Sequence, residues 1–477
     1  MAEIELVVRG GLVIGADGTR RADVAVAGGV VVATGPDLDV PVGATVLDAG
    51  GCLVGPGLVD LHTHLRQPGR EEAETVESGA RAAALGGYTA VLAMPNTDPA
   101  IDSAGTAREV LALGRSAVAE VAVAGAITVG RSGERLAPMA ELAALGIGIF
   151  TDDGAGVQDG ALMRRALEYA RGLGVTLAQH CEDESLAAGG AMHEGAWSSR
   201  LGLPGIPAAA EEAMVARDIA LVRLTGALMH FLHLSTAGSL ELVRRAKAEG
   251  VAVTAEAAPH HFFLTDAEVA TYDPVYKVNP PLRPLADVRA VRRALCDGTV
   301  DAIATDHAPH APETKDLPFD QAPPGMLGLE TALALAFTAL GGSHAGPHAG
   351  PHAGTGGGKP RSSMLRDGAG PDGAGEGQWR LSPERIFGLL SRQPAAIARL
   401  GPDDRRLGGH SAHGGPVEPG AAANLCIFDP LVRWTVDPRD LASRSRNTPY
   451  EGRELVGRVR HTVLRGEPVV VDAVAQR

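Results

Sequence analysis

Two histidines and an arginine stand close together in Leu61-His62-Thr63-His64-Leu65-Arg66, at the end of an apolar run that opens at Gly57. Alternate residues of a strand share a face, so both imidazoles point one way and can share a metal ion. Arg66 has the same parity, and a guanidinium can grip a carboxylate through two parallel hydrogen bonds. Further residues of the same kind close other apolar runs. Asp152 and Asp153 follow the run that ends at Thr151, His180 ends Val175 to His180, His233 ends Met229 to His233, and Asp306 follows Val300 to Thr305. Four imidazoles and two carboxylates, Asp306 and one of the pair Asp152 and Asp153, exceed the needs of one tetrahedral ion and suit two zinc-like ions with a carboxylate between them. Such a centre activates water and polarises a carbonyl, which is the chemistry of amide hydrolysis.

These groups work together only if the fold brings them together. From Gly57 to about Leu340, eight apolar, β-branched runs alternate with amphipathic stretches such as Glu71 to Leu85, Ala161 to Leu173, Ser239 to Glu249 and Ala286 to Leu295. Eight strand–helix units in one span predict an α/β fold, a (β/α)8 TIM barrel over residues 55–400, with a doubly wound sheet as the competing architecture. In a barrel, every candidate above sits at the C-terminal ends of the strands, the rim where such folds carry their sites. Residues 1–54 read as short strands split by Gly-rich turns (Glu5 to Val8, Gly11 to Ile14, Asp23 to Val26, Val30 to Val32), which predicts a small antiparallel sheet. Residues 417–477 match them, and neither half can bury a core alone, so the two are expected to pair into one β-sandwich. Residues 341–377 are dominated by Gly, Ala, Pro, His and Ser, with a repeat around His344, His348 and His352. A disordered linker is expected there rather than a metal trap. Order is expected to resume where Ser382 caps a helix with Pro383 at its first position.

Composition narrows the function classes. Of 477 residues 45% are hydrophobic but only 3% aromatic, so the core must be Ala, Val and Leu. A net charge of −14 argues against nucleic-acid and anionic-membrane partners, which need a basic face. The acidic start Met1-Ala2-Glu3-Ile4-Glu5 leads straight into a strand pattern, so a cytoplasmic location is expected. Cys52, Cys181, Cys296 and Cys426 are scattered and suggest neither a disulfide framework nor a zinc knuckle.

The motifs Asp60-Leu61-His62-Thr63-His64-Leu65-Arg66, Ala93-Met94-Pro95-Asn96-Thr97, Thr151-Asp152-Asp153-Gly154, Tyr276 to Arg283, Asp306-His307-Ala308-Pro309-His310 and Ser445-Arg446-Asn447-Thr448-Pro449 together resemble the amidohydrolase superfamily and, within it, bacterial-type dihydroorotases. The resemblance implies reversible hydrolysis of the cyclic amide of dihydroorotate to N-carbamoyl-aspartate, a step of pyrimidine synthesis, with two zinc ions per subunit. It implies metal ligation by His62, His64, Asp153, His180, His233 and Asp306, with Asp153 as the bridge, Asp152 as loop support and Asp306 as catalytic acid–base. It implies substrate binding by His64, Arg66, Asn96, Asn279 and His310, and by the backbone of Pro324 and Gly325, where Pro324 replaces the usual aromatic. Dihydropyrimidinase, hydantoinase and allantoinase share the barrel but typically bridge their metals with a carboxylated lysine on strand four. The only lysines here are Lys247, Lys277, Lys315 and Lys359, none of which can take that place. A non-catalytic scaffold is the remaining alternative, and the full ligand set argues against it. The expected partners are a small-molecule substrate and other copies of the chain, with association with aspartate transcarbamoylase left open.

Overall fold

The computed structural model describes residues 3–15, 18–341, 380–402 and 412–477. The His-rich segment therefore lies outside the described residues, apart from Gly341. Eight parallel strands form the barrel: Leu58–Thr63, Tyr88–Ala93 and Glu120–Val123 in one sheet, and Ile149–Thr151, Thr176–Gln179, Leu228–Phe231, Val253–Ala257 and Ala302–Ile303 in another. The first two are buried at every position, as parallel strands covered on both faces must be.

Two seams close these sheets into a cylinder. At one, the Thr151 N–H donates to the Gly125 carbonyl at 2.8 Å and the Gly125 N–H to Ile149 at 3.0 Å. At the other, the His64 N–H donates to the His307 carbonyl at 2.9 Å. Asp60, fully buried, reinforces this second seam by accepting from the Thr305 N–H at 3.0 Å and from the Thr305 hydroxyl. A doubly wound sheet would leave both edges open, so closure decides for the barrel.

Helices begin where caps permit. The stretch expected from Glu71 is helical only over Val76–Leu85, because the Thr75 side chain accepts from the Ser78 N–H and fixes the start there. Thr236 likewise starts Ala237–Ala248, and Ser382 caps Pro383–Phe387 as expected. That last helix packs Ile386 and Phe387 into the barrel's outer core.

Both ends of the chain contribute to one nine-stranded sheet. Leu53–Pro56 pairs antiparallel with Leu425–Thr435 and joins the halves. Their shared core runs from Leu6, Val24 and Val54 to Leu425, Ile427 and Val463, and forms the β-sandwich. Two expectations need correction. The strands read as Glu5 to Val8 and Gly11 to Ile14 are one strand, Leu6–Gly15, continuous across a bulge between Val8 and Gly11. The sheet is also mixed rather than antiparallel, since Thr45–Asp48 and Leu53–Pro56 both run parallel to Leu6–Gly15. The connection between Gly35 and Thr45 is long enough to return the chain to its starting end before it pairs.

A buried polar cluster braces the rim after the sixth strand. Glu211 accepts from the Ser235 and Thr236 N–H groups at 3.2 and 3.0 Å. Arg283, 1% exposed, donates to Ser235 Oγ at 3.0 Å, meets His193 Nδ1 at 3.0 Å and lies 3.6 Å from Glu211. Arg283→Met strands the Glu211 charge, and is expected to lower the unfolding free energy by about 3–5 kcal/mol. Denaturant unfolding measures this, and the double variant E211Q/R283M should recover part of the loss.

Candidate active site

The cavity at the barrel mouth is lined by His64, Arg66, Asn96, Asp153, His180, His233, Asn279, Asp306, His310, Pro324 and Gly325, with Arg70 at its edge. Every residue expected to bind metal or substrate therefore meets in one place except His62, which lies directly beneath, fully buried. The strands end early and short turns deliver the functional groups. His180 directly follows Thr176–Gln179, while His233 and Asp306 take left-handed backbone angles, φ 32° and 49°. Non-glycine residues rarely adopt that region; the seam at His307 flanks Asp306, and the Leu232 and Leu234 N–H groups, donating to the Gln179 and Glu256 carbonyls at 3.1 and 2.9 Å, flank His233. Arg66 is a further case, with φ 61°: strand parity ends at Thr63, and a turn, not alternation, carries this side chain to the cavity.

Asp153 stands at the centre. Its Oδ2 lies 3.3 Å from His62 Nε2 and 3.5 Å from His64 Nε2. Asp306 Oδ1 completes that quartet at 3.5 Å from His62 and 3.3 Å from His64. The other oxygen, Oδ1, lies 3.6 Å from His180 Nδ1 and 3.5 Å from His233 Nε2, which are 3.0 Å from each other. Donors held at about 2.0–2.1 Å around one tetrahedral ion stand about 3.3–3.4 Å apart, the spacing of the first group. His62 Nε2 and Asp153 Oδ1 are buried with no hydrogen-bond partner. A cation removes the cost of such orphaned atoms, so the donor set fits metal: His62, His64 and Asp153 form one group able to hold an ion, and Asp153, His180 and His233 another. The neighbouring Asp152 faces the other way, accepting from the Ile127 and Thr128 N–H groups at 2.8 and 3.0 Å.

A second layer aims these groups. Glu256, on the strand Val253–Ala257, accepts from His62 Nδ1 at 2.9 Å and from His230 Nε2 at 3.0 Å. With its hydrogen on Nδ1, His62 presents the Nε2 lone pair to the cavity. Burial raises the Glu256 carboxyl, but the two imidazoles outweigh it and bring it to about 2. Burial acts likewise on Asp306, and His64 and His62 reverse it, holding this carboxyl well below the usual range. Asn96 Oδ1 accepts from His64 Nδ1 at 2.9 Å and fixes that ring in the same tautomeric sense.

Across the cavity, Arg66 Nε donates to the Pro309 carbonyl at 3.0 Å, which leaves its outer N–H groups turned toward the space. His310 Nε2 lies 2.8 Å from the Pro324 carbonyl and 3.4 Å from Arg66 Nη2. Burial, with Arg66 beside it, pushes His310 down to about 2, so the ring is neutral. An Nε2–H given to Pro324 leaves no lone pair for Arg66, so the longer approach is contact without a hydrogen bond. The Gly325 N–H donates to the Lys277 carbonyl at 2.8 Å, and a Cβ at Gly325 would sit 2.7 Å from His310 Nε2. The carbonyl of Pro324 and the N–H of Gly325 are thus engaged within the protein. Asn279 Nδ2 reaches Glu182 at 3.4 Å.

Sequence reasoning missed Glu256, Asp60 and the lysines of this region. Glu256 left a signal, an acid inside an apolar strand. Lys315 left none: its ammonium donates to the carbonyls of Pro274 and Pro323 at 3.0 and 2.8 Å and ties the Pro323–Gly325 loop down.

Comparison with known proteins agrees with this geometry. Residues 51–239 match the family model described as dihydro-orotase-like. The chain is 46% identical to a dihydroorotase of Streptomyces coelicolor, over 98% of both chains. It is 45% identical to a dihydroorotase of Mycobacterium tuberculosis, over 95% of this chain and 96% of the relative. Among solved structures, an L-hydantoinase (dihydropyrimidinase) from Arthrobacter aurescens superposes with a TM-score of 0.80 at 22% identity, covering 100% of this chain and 98% of that one, and shows the shared barrel. With 46% identity to a dihydroorotase over nearly the full length added to a mouth built of imidazoles and carboxylates, the chain belongs to the dihydroorotase family, whose members are metal-dependent cyclic amidohydrolases.

Proposed function

We propose that this protein interconverts dihydroorotate and N-carbamoyl-aspartate, using two zinc ions held by His62, His64, Asp153 and Asp306 on one side and by Asp153, His180 and His233 on the other. The observation that carries this reading is Asp153, whose two oxygens face two separate imidazole pairs, opposite a buried guanidinium. The bound metals supply Lewis acidity, lowering the pKa of water and polarising the amide carbonyl.

The chain's residues do the rest. Asp306, ionised by the imidazoles around it, accepts the proton that water releases as its oxygen adds to the carbonyl carbon. When the C–N bond breaks, the same carboxyl returns that proton to the ring nitrogen, giving the ureido group and a new carboxylic acid, which ionises by releasing water's second proton to solvent. The reverse reaction closes the ring by the same transfers. Arg66, with Asn96, holds the substrate carboxylate, His310 joins them by turning its Nε2–H from the Pro324 carbonyl to the substrate, and Asn279 bonds the pyrimidine ring. His64, bonded to Asn96 and beside Asp306, lies between the carboxylate clamp and the metal ligands. Pro324 and Gly325 act here by seating His310 and leaving the space beside it open.

An uncharged cyclic amide gives Arg66 no partner, and a buried cation left unpaired disfavours it. The carboxylated ring is for that reason the favoured substrate over hydantoin or dihydrouracil. No carboxylated lysine is available at the position that Asp153 occupies, which separates this centre from that of the hydantoinase-type barrels. The same reading carries the expectations of a homo-oligomer and of a cytoplasmic location, and leaves association with aspartate transcarbamoylase open; among the described residues, no helix is long and apolar enough to cross a membrane.

Three measurements test the proposal. Metal analysis of the zinc-loaded protein should give two ions per chain, falling to one in His180→Ala; an unchanged count places the second ion elsewhere. Asp306→Asn should reduce kcat by at least about 1000-fold with an unchanged thermal midpoint. Arg66→Met should raise KM for dihydroorotate by about 100-fold, as expected for loss of a paired, charge-assisted contact. Equal KM in that variant removes the basis for the substrate assignment.

A further inference from the structure

The segment Ser443 to Thr448 comes from the far end of the chain, yet its tip reaches the barrel mouth. Its base is tied to the barrel: the Ala442 N–H donates to Glu330 at 2.8 Å, the Arg444 N–H to Glu74 at 3.1 Å, and the Ser445 hydroxyl to the Ala73 carbonyl at 2.7 Å. Arg446 stiffens the turn by donating to the Ser445 carbonyl at 2.8 Å. What this scaffold delivers is Asn447, 6% exposed.

The Asn447 side chain meets three backbone groups at once. Its Oδ1 accepts from the His310 N–H at 3.1 Å, while its Nδ2 donates to the Ala308 carbonyl at 2.9 Å and to the Gly325 carbonyl at 3.1 Å. Its own carbonyl accepts from the Leu327 N–H at 3.1 Å. One amide therefore uses an acceptor and both donors to fasten two loops together, Asp306 to His310 and Pro323 to Leu327. These loops carry the neutral imidazole of His310, the Pro324 carbonyl that orients it and the glycine that leaves room beside it. The Pro309 carbonyl that holds Arg66 by its Nε lies in the first of them.

We infer that Asn447 is a positioning residue for substrate recognition: it sets the separation of the two loops, and so the placement of Arg66 and His310 around the substrate carboxylate, without touching substrate or metal. This rests on the function proposed above and adds a specificity role for the C-terminal segment. A misplacement of about 1 Å costs an enzyme roughly 100-fold, and removal of this amide leaves three backbone groups without partners.

The test is a thermodynamic cycle with the zinc-loaded, full-length protein. Asn447→Ala should raise KM for dihydroorotate by about tenfold or more, with kcat changed less than KM and with zinc content unchanged. In the double variant R66M/N447A the loss should be no larger than in Arg66→Met alone, because both act through the same carboxylate. If Asn447→Ala fails to fold, Asn447→Asp is read in its place. It keeps the acceptor for His310 and removes both donors, and the same excess of KM over kcat is expected. A KM within twofold of wild type, additive losses in the cycle, or a loss that tracks zinc content overturns the inference. Absence of dihydroorotase activity in the wild-type protein instead overturns the functional proposal on which it stands.

Discussion

The arrangement depends on negative charge kept under imidazoles. Asp153, Asp306 and Glu256 are all at least 95% inaccessible, where isolated carboxylates would be driven toward neutrality. They stay ionised because four imidazoles and an outer His230 surround them. The imidazoles in turn have their free nitrogens directed inward because Glu256 and Asn96 hold the opposite nitrogens of His62 and His64. Neither set is stable alone in a low-dielectric interior; together they leave a space whose lining is rich in lone pairs, and that is a description of a cation site.

Barrel closure is what makes this concentration tolerable. Ligands arrive from the first, fourth, fifth, sixth and eighth strands, and each is held by a seam or turn and not by its neighbour in sequence. The left-handed backbone at His233 and Asp306 is the local cost of placing a side chain inward just past the last ladder bond. Rigidity in the surrounding parallel sheet, with every position of Leu58–Thr63 and Tyr88–Ala93 buried, sustains that strain.

Much of this was legible in the sequence because strand ends leave a mark: an apolar run that stops at a histidine or aspartate. That mark located His62, His64, His180, His233 and Asp306. The pair Asp152 and Asp153 resisted, since alternation stops at Thr151 and only the turn geometry sends one carboxylate inward and the other to the Ile127 and Thr128 amides. Arg66 was placed rightly for a reason that does not hold, as the strand has ended before it. Contacts made by backbone atoms were invisible: no residue type announces that Gly325 gives its N–H to Lys277, or that Asn447 joins two loops from more than a hundred positions away. In the terminal sheet, alternating patterns revealed the strands, but their direction depended on the length of a connection.

The joining of Leu53–Pro56 to Leu425–Thr435 has a bearing on how the protein is made. Chains emerge from the ribosome N-terminus first, so the opening strands wait, with edges unpaired and apolar faces uncovered, until nearly the whole polypeptide has been translated. A nascent or prematurely ended chain thus displays a half-sheet edge that the finished one covers.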